Sequence, residues 1–153
     1  MPDECWYDRV TLPALLRHAR TTYGAAMRRA LAREGYDDIP GNGLYVIGGL
    51  ALGDGGIPIG QLVRDLGITK QGAGQLVDTL VLRGYLARDP DPADRRQVIV
   101  TLTERGAAAA AVQAGVREEI DAALAGRIGE ADVAAMRRGL GTLIEMERRK
   151  EEE

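Results

Sequence analysis

Two short helical patterns joined by a tight turn constrain this chain most. Ile59, Leu62, Val63 and Leu66 recur at i, i+3, i+4 and i+7, which marks one face of a two-turn helix. Gly67 follows where a left-handed C-cap is expected, and Thr69 stands where a hydroxyl caps the next helix. In that second helix Ala73, Leu76, Val77 and Leu80 repeat the spacing, and Gly84 ends it beside the cation Arg83. Tyr85 to Asp89 then reads as a strand, which Pro90, Asp91 and Pro92 break. From Gln97 to Leu102 the residues alternate, with Val98, Val100 and Leu102 on one side. The two strands make a hairpin whose tip, Asp91-Pro92-Ala93-Asp94-Arg95-Arg96, is polar and basic.

Helix, turn, helix, basic loop and strand, in that order, is how a winged helix-turn-helix meets a DNA duplex. The apolar stripe of the second helix fixes its buried side, so Gln71, Gln75 and Asp78 point roughly the opposite way, flanked by Gly74 and Thr79. Gln bonds adenine edges in a bidentate manner, and Thr69 and Lys70 stand at the helix N-terminus, where phosphates are held. Gly72 and Gly74 present no side chain, which lets the backbone come close to a phosphate or a thymine methyl. In the hairpin, Pro90 and Pro92 stiffen the loop, and an arginine at such a tip can enter a minor groove. Arg96 is the first candidate for that role. Asp94 is expected to pair with it and fix its direction, while Arg95 and Asp91 also fit a solvated charged turn.

The flanks are helical. Thr11 to Glu34 reads as a long helix with Pro13 in its first turn. Gly35 to Gly43 is a loop. Leu44 to Leu52 is an apolar segment read as a buried helix, although Gly48-Gly49 weakens it and Val46-Ile47 also suits a strand. Gly53-Asp54-Gly55-Gly56 is a turn. Thr103 is expected to cap an Ala-rich helix running to about Leu124, striped by Val112, Val116, Ile120 and Leu124. A break spans Gly126 to Gly129. A last helix, from about Ala131 to Arg149, carries Val133, Met136, Leu140, Leu143 and Ile144 in a near-heptad pattern. Such stripes outside the central module need a partner, and a second copy of the chain is the most economical one.

Composition sets the remaining bounds. With 153 residues, 45% hydrophobic and 28% charged, the chain is a globular protein of one domain or a domain with helical extensions. It has no Phe and 4% aromatics, so Leu, Val, Ile and Ala must build the core. The net charge of −3 weighs mildly against nucleic-acid binding, but Glu151 to Glu153 place much acid far from the basic tip. One cysteine, Cys5, excludes an internal disulfide and a Cys-built metal site, and one histidine, His18, excludes a His-based one. His18 is read as packed or hydrogen-bonded. Met1-Pro2-Asp3-Glu4 does not begin a signal peptide, and no apolar run is long enough for a membrane span, so a cytoplasmic protein is expected. No phosphate-cradling Gly-rich loop and no nucleophile–base pair is visible, so neither an enzyme nor a cofactor is expected.

Leu62 through Gly106 resembles the winged helix-turn-helix of the MarR family of bacterial transcriptional regulators. Leu62-Val63-Arg64-Asp65-Leu66-Gly67-Ile68-Thr69-Lys70 matches the helix pair, and Leu76-Val77-Asp78-Thr79-Leu80 with Gly84-Tyr85-Leu86 matches the end of the recognition helix. Asp94-Arg95-Arg96 matches the wing, and Leu102-Thr103-Glu104-Arg105-Gly106 the strand-to-helix exit. The resemblance implies a mainly α fold with a small β-hairpin wing: a DNA-binding domain over 44–106, with helical dimerisation regions at 1–43 and 107–153. It further implies a homodimer on a near-palindromic duplex, acting as a repressor that a small-molecule effector releases. DNA contacts are expected at Thr69, Lys70, Gln71, Gly74, Gln75, Arg95 and Arg96, with Asp94 orienting the wing. Pro58 stands where the family often has a Ser or Thr cap, and Gly72 and Gly74 stand where larger side chains are common, so specificity leans on DNA shape. Two other readings are a winged-helix module used only for protein contact, and a redox-sensing regulator built on Cys5 beside Trp6 and Tyr7. Trp6, Tyr7, Tyr23, Tyr36 and Tyr45 are candidates to line a cleft for an aromatic effector, against plain packing roles.

Overall fold

The computed structural model describes residues 5–53 and 55–151. A short 3-10 turn, Trp6–Arg9, precedes α1 (Leu12–Arg33) and α2 (Gly43–Leu52). Next come β1 (Ile57–Pro58), α3 (Ile59–Leu66), α4 (Lys70–Leu82), β2 (Leu86–Pro90) and β3 (Val98–Leu102). α5 (Glu104–Ile128) and α6 (Glu130–Glu151) complete the chain. The chain divides into two compact units, one ending at Val116 and the other beginning at Arg117.

In the first unit local chemistry sets the boundaries. α1 starts after Thr11 with Pro13 in its first turn, where the missing N–H costs nothing. Only its later part packs, through Gly24, Met27 and Leu31. α3 ends at Gly67, whose φ of 61° is left-handed, a conformation that glycine adopts without steric penalty. The Thr69 hydroxyl then accepts a hydrogen bond from the Gly72 N–H at 3.0 Å and starts α4. The Leu44–Leu52 segment is helical, and Leu44, Val46, Ile47 and Leu50 are all buried. It is a core helix apolar on most sides, so its sequence has no period that would separate helix from strand.

The sheet is antiparallel in the order β1-β3-β2. Leu86 lies opposite Leu102 and Pro90 opposite Val98. One buried cluster joins the elements: Leu31 of α1, Val46, Ile47 and Leu50 of α2, Leu62 of α3, Val77 and Leu80 of α4, Tyr85, Leu86, Val100, and Ala109 and Ala110 of α5. α4 thereby presents one face to the core and leaves the other to solvent. In the second unit, Val133 of α6 and Ala125 of the end of α5 line a shared groove with Asp121 and Arg137.

Several boundaries differ from those read in the sequence. β1 adds a third strand to the expected hairpin, and two residues are too few to show an alternation. β2 continues through Pro90 instead of stopping before it, because Pro90 ends an edge strand, where a missing N–H is tolerated. α5 runs past Gly126 to Ile128, and the break is confined to Gly129, at φ 88°. The buried side of α5 is Gly106, Ala109, Ala110 and Gln113, whereas Val112, Val116, Ile120 and Leu124 are only half-buried. The small residues Ala109 and Ala110 enter the core cluster, and of the larger stripe Val112 packs against its edge. Asp54, in the expected turn, lies outside the described residues.

Candidate nucleic-acid interface

α4 is built with two chemically distinct sides. Ala73, Val77 and Leu80 are buried, while Gln71, Gln75, Asp78 and Leu82 form an exposed row at helical spacing. Thr69 and Lys70 are exposed at the N-terminal end, where the unpaired N–H groups favour an anion. A Cβ built on Gly74 would meet nothing within 4 Å, so no contact within the protein requires a glycine there. Leu82, 87% exposed, extends this side and escaped the sequence pattern because it falls off the apolar stripe.

The tip between β2 and β3 carries the second group of candidates. It closes with a hydrogen bond from the Asp91 N–H to the Gln97 carbonyl at 2.9 Å, and Gln97 N–H donates to the Asp94 carbonyl at 2.9 Å. The Asp91 carboxylate accepts from the Ala93 N–H at 2.9 Å, and the Asp94 carboxylate from the Arg96 N–H at 3.0 Å. Both acids fold the turn through the backbone, as short carboxylates do. The expected pairing of Asp94 with the Arg96 guanidinium is thus replaced by a bond to its main chain, which sets where Arg96 leaves the turn. Arg95 and Arg96 are both exposed.

Two tertiary ties next to these candidates were not visible in the sequence. Arg88 of β2 donates to the Asp78 carboxylate, forming an ion pair between the hairpin and the exposed side of α4. Asp78 is therefore engaged by the protein itself. The second tie surrounds Tyr85. Its ring is fully buried against Tyr36, at 6.2 Å and an interplanar angle of 63°. Its hydroxyl donates to the Asp38 carboxylate. Arg105, in the first turn of α5, donates to the Tyr85 hydroxyl at 3.0 Å and to Asp38 at 3.3 Å, with its guanidinium 4.6 Å from the Tyr85 ring centre. The Tyr85 hydrogen bond holds the Asp38 carboxyl below its ordinary range, ahead of the influence of Arg105. Burial, and then the same bond, push the Tyr85 phenol up. Alternation and helical period describe neighbours along one element, so pairs this distant in sequence left no signal there.

The remaining candidates are dispersed. Cys5 is exposed, and its N–H donates to the Asp8 carboxylate at 2.9 Å. His18, expected to be packed or hydrogen-bonded, is exposed on the early part of α1. Among the aromatics, Trp6 meets Tyr7 edge-on at 5.7 Å, and Tyr45 lies under Arg20 at 4.0 Å. Tyr36 lines a pocket of about 290 Å³ with Arg28, Leu31, Ile39 and Leu44. Among the described residues no group of three His, Cys, Asp or Glu side chains is placed to hold a metal, and no helix is long and apolar enough to cross a membrane.

The sequence model of the MarR family matches residues 37–97, a span that includes α2, α3, α4 and the hairpin tip. No curated relative matches the chain in sequence. Among solved structures, FabT of Streptococcus pneumoniae in complex with DNA superposes with a TM-score of 0.75 at 19% identity, over 93% of this chain and 97% of that one. The S. aureus MepR–DNA complex gives 0.72 at 18% identity, over 90% of this chain and 99% of that one. The apo form of MarR from E. coli gives 0.65 at 22%, over 88% and 97%. Residues 37–97 thus match the MarR-family model, in a chain that shares the winged-helix fold of these solved structures.

Proposed function

We propose that this protein is a DNA-binding transcriptional regulator that works as a homodimer. α4 lies in the major groove, with Gln71 and Gln75 against base edges and Thr69 and Lys70 against phosphates. Gly74 lets the backbone approach the duplex, and Arg96, with Arg95, enters the adjacent minor groove on a tip shaped by Asp94. The observation that carries the reading is the two-sided character of α4: one side closes the core, and the other offers amides, a cation and an open glycine in the order that groove contact needs. The DNA-bound FabT and MepR share this fold, which supports the same use here. Residues 44–106 form the DNA-binding domain, and 1–43 with 107–153 the dimerisation region. The exposed Met136, Leu140, Leu143 and Ile144 of α6 supply apolar surface for the second copy. A regulator of this kind acts as a repressor, released when a small effector changes the spacing of its two recognition helices.

Selecting bound fragments from a random duplex library tests the reading directly. The expected result is an enriched, near-palindromic site whose affinity falls steeply with salt as counterions are released. Retention of no duplex, or binding without sequence preference, would refute it. Arg96→Ala is expected to remove most of the affinity while sedimentation still shows a dimer. Unchanged affinity would remove the wing from the mechanism.

A further inference from the structure

We propose that Arg105 is a positioning residue for DNA binding: through Asp38 and Tyr85 it fixes the recognition helix α4 to the connection between α1 and α2. The proposal rests on the DNA-binding reading above and goes beyond it, since Arg105 touches none of the candidate contact residues.

One side of the arrangement is rigid. Arg105 enters α5 directly after Thr103, whose N–H donates to the Tyr85 carbonyl at 3.1 Å and whose hydroxyl accepts from the Gly106 N–H at 3.1 Å. A Cβ on Gly106 would lie 2.1 Å from the Tyr85 carbonyl oxygen, so α5 is seated directly on the backbone that follows α4. The base of Arg105 therefore moves with the end of α4. The other side is the connection after α1, which contains Asp38. The Asp38 carboxylate receives the Tyr85 hydroxyl and Arg105, and its backbone carbonyl receives the guanidinium of Arg83, the C-cap residue of α4. Farther along the same connection, Arg28 of α1 donates to the Gly41 carbonyl at 2.8 Å.

Three groups at the α4–α5 junction thus converge on one residue of the linker. The linker is otherwise held by turn hydrogen bonds, Tyr36 N–H to the Leu31 carbonyl and Gly43 N–H to the Pro40 carbonyl, both at 2.8 Å, and by Tyr36 and Ile39 against the core. Arg105 is half-exposed, so its bonds add little to global stability. Their consequence is directional: Leu31 of α1 and Val77 and Leu80 of α4 already share one core, and the tie to Asp38 adds a constraint on the angle at which α4 ends. A groove-reading helix depends on its angle, so loss of the tie lowers affinity without removing any contact to the duplex.

The experiment measures binding of a labelled duplex, taken from the library selection, to the full chain and to Arg105→Met, Asp38→Asn, the double variant and Arg105→Lys. Arg105→Met retains the aliphatic packing over the rings and removes the donors. It is expected to weaken binding roughly two- to thirtyfold, with thermal unfolding and the slope of log affinity against log salt unchanged. The double variant is expected to bind no worse than either single one, and Arg105→Lys to restore part of the affinity. Wild-type affinity in Arg105→Met would overturn the proposal. A salt slope lower by about one unit would also overturn it, by making Arg105 a phosphate contact. Additive losses in the double variant would exclude Asp38 as the partner and overturn the tie. If the unaltered chain selects no duplex, the DNA-binding reading itself fails, which is distinct from every variant outcome.

Discussion

α4 and α6 are both helices with leucines at helical spacing, yet they meet opposite fates. In α4, Val77 and Leu80 are almost wholly removed from solvent. In α6, Met136, Leu140, Leu143, Ile144 and Met146 remain 36% to 59% exposed. The residue types are similar, so hydrophobicity alone does not explain the difference. α4 folds back on α2, α3 and the sheet, which close a core within one chain. α6 lays Val133 along the groove beside the end of α5. The winged-helix unit therefore draws its stability from itself, whereas α6 holds apolar surface that is stabilised only when something covers it.

Identical substitutions in the two helices sharpen this contrast. Leu80→Ala is expected to cost about 2–5 kcal/mol in chemical unfolding, through lost burial and the cavity left behind. Leu140→Ala should cost less than about 0.5 kcal/mol for the dissociated chain, as surface changes do. Its effect should instead appear as weaker self-association in sedimentation at decreasing concentration. Equal losses at both positions, independent of concentration, would end the distinction. An effect smaller than that of Leu80→Ala is expected at the start of α4: Thr69→Ala removes the hydroxyl that accepts from Gly72 and should cost about 1 kcal/mol by the same unfolding measurement.

The smallest effect concerns pH. The Asp38 carboxyl is lowered in the folded state, chiefly by the Tyr85 hydroxyl. A depressed carboxyl contributes stability above its unfolded value, near 4, and loses it as pH falls through the folded value. Asp38→Asn should therefore flatten the acid limb of the stability–pH curve, read from denaturant midpoints, and leave the neutral region almost unchanged. An identical acid limb in the variant would show that Asp38 has no part in it. Tyr85 works in the opposite sense: its raised phenol contributes stability below about 10, which is lost as pH rises through the folded value.

What could be read in the sequence follows from the range of each interaction. Ile59, Leu62, Val63 and Leu66 gave α3 because period is local, and Gly67 and Thr69 gave its end and the next start because caps act within a few residues. The exposed side of α4 followed from its buried one. In α5 the stripe was only part of the packed side: Val112 does pack against the core, but a helix so rich in alanine has little contrast, and the fully buried positions are Ala109 and Ala110. Asp94 was tied to Arg96 correctly in sequence but through the wrong atom, since residue types do not distinguish a backbone bond from an ion pair. Arg88 with Asp78, and Arg105 with Asp38, required the folded chain to bring them together.

The two outer strands of the sheet have a consequence for how this protein ages in solution. β1 is two residues long and ends in Pro58, and β2 carries Arg88 and Asp89 before it closes on Pro90. The prolines each remove a backbone donor and the charges of Arg88 and Asp89 lie on the rim, features that discourage a foreign strand from adding there. Strand addition at the wing is thereby disfavoured.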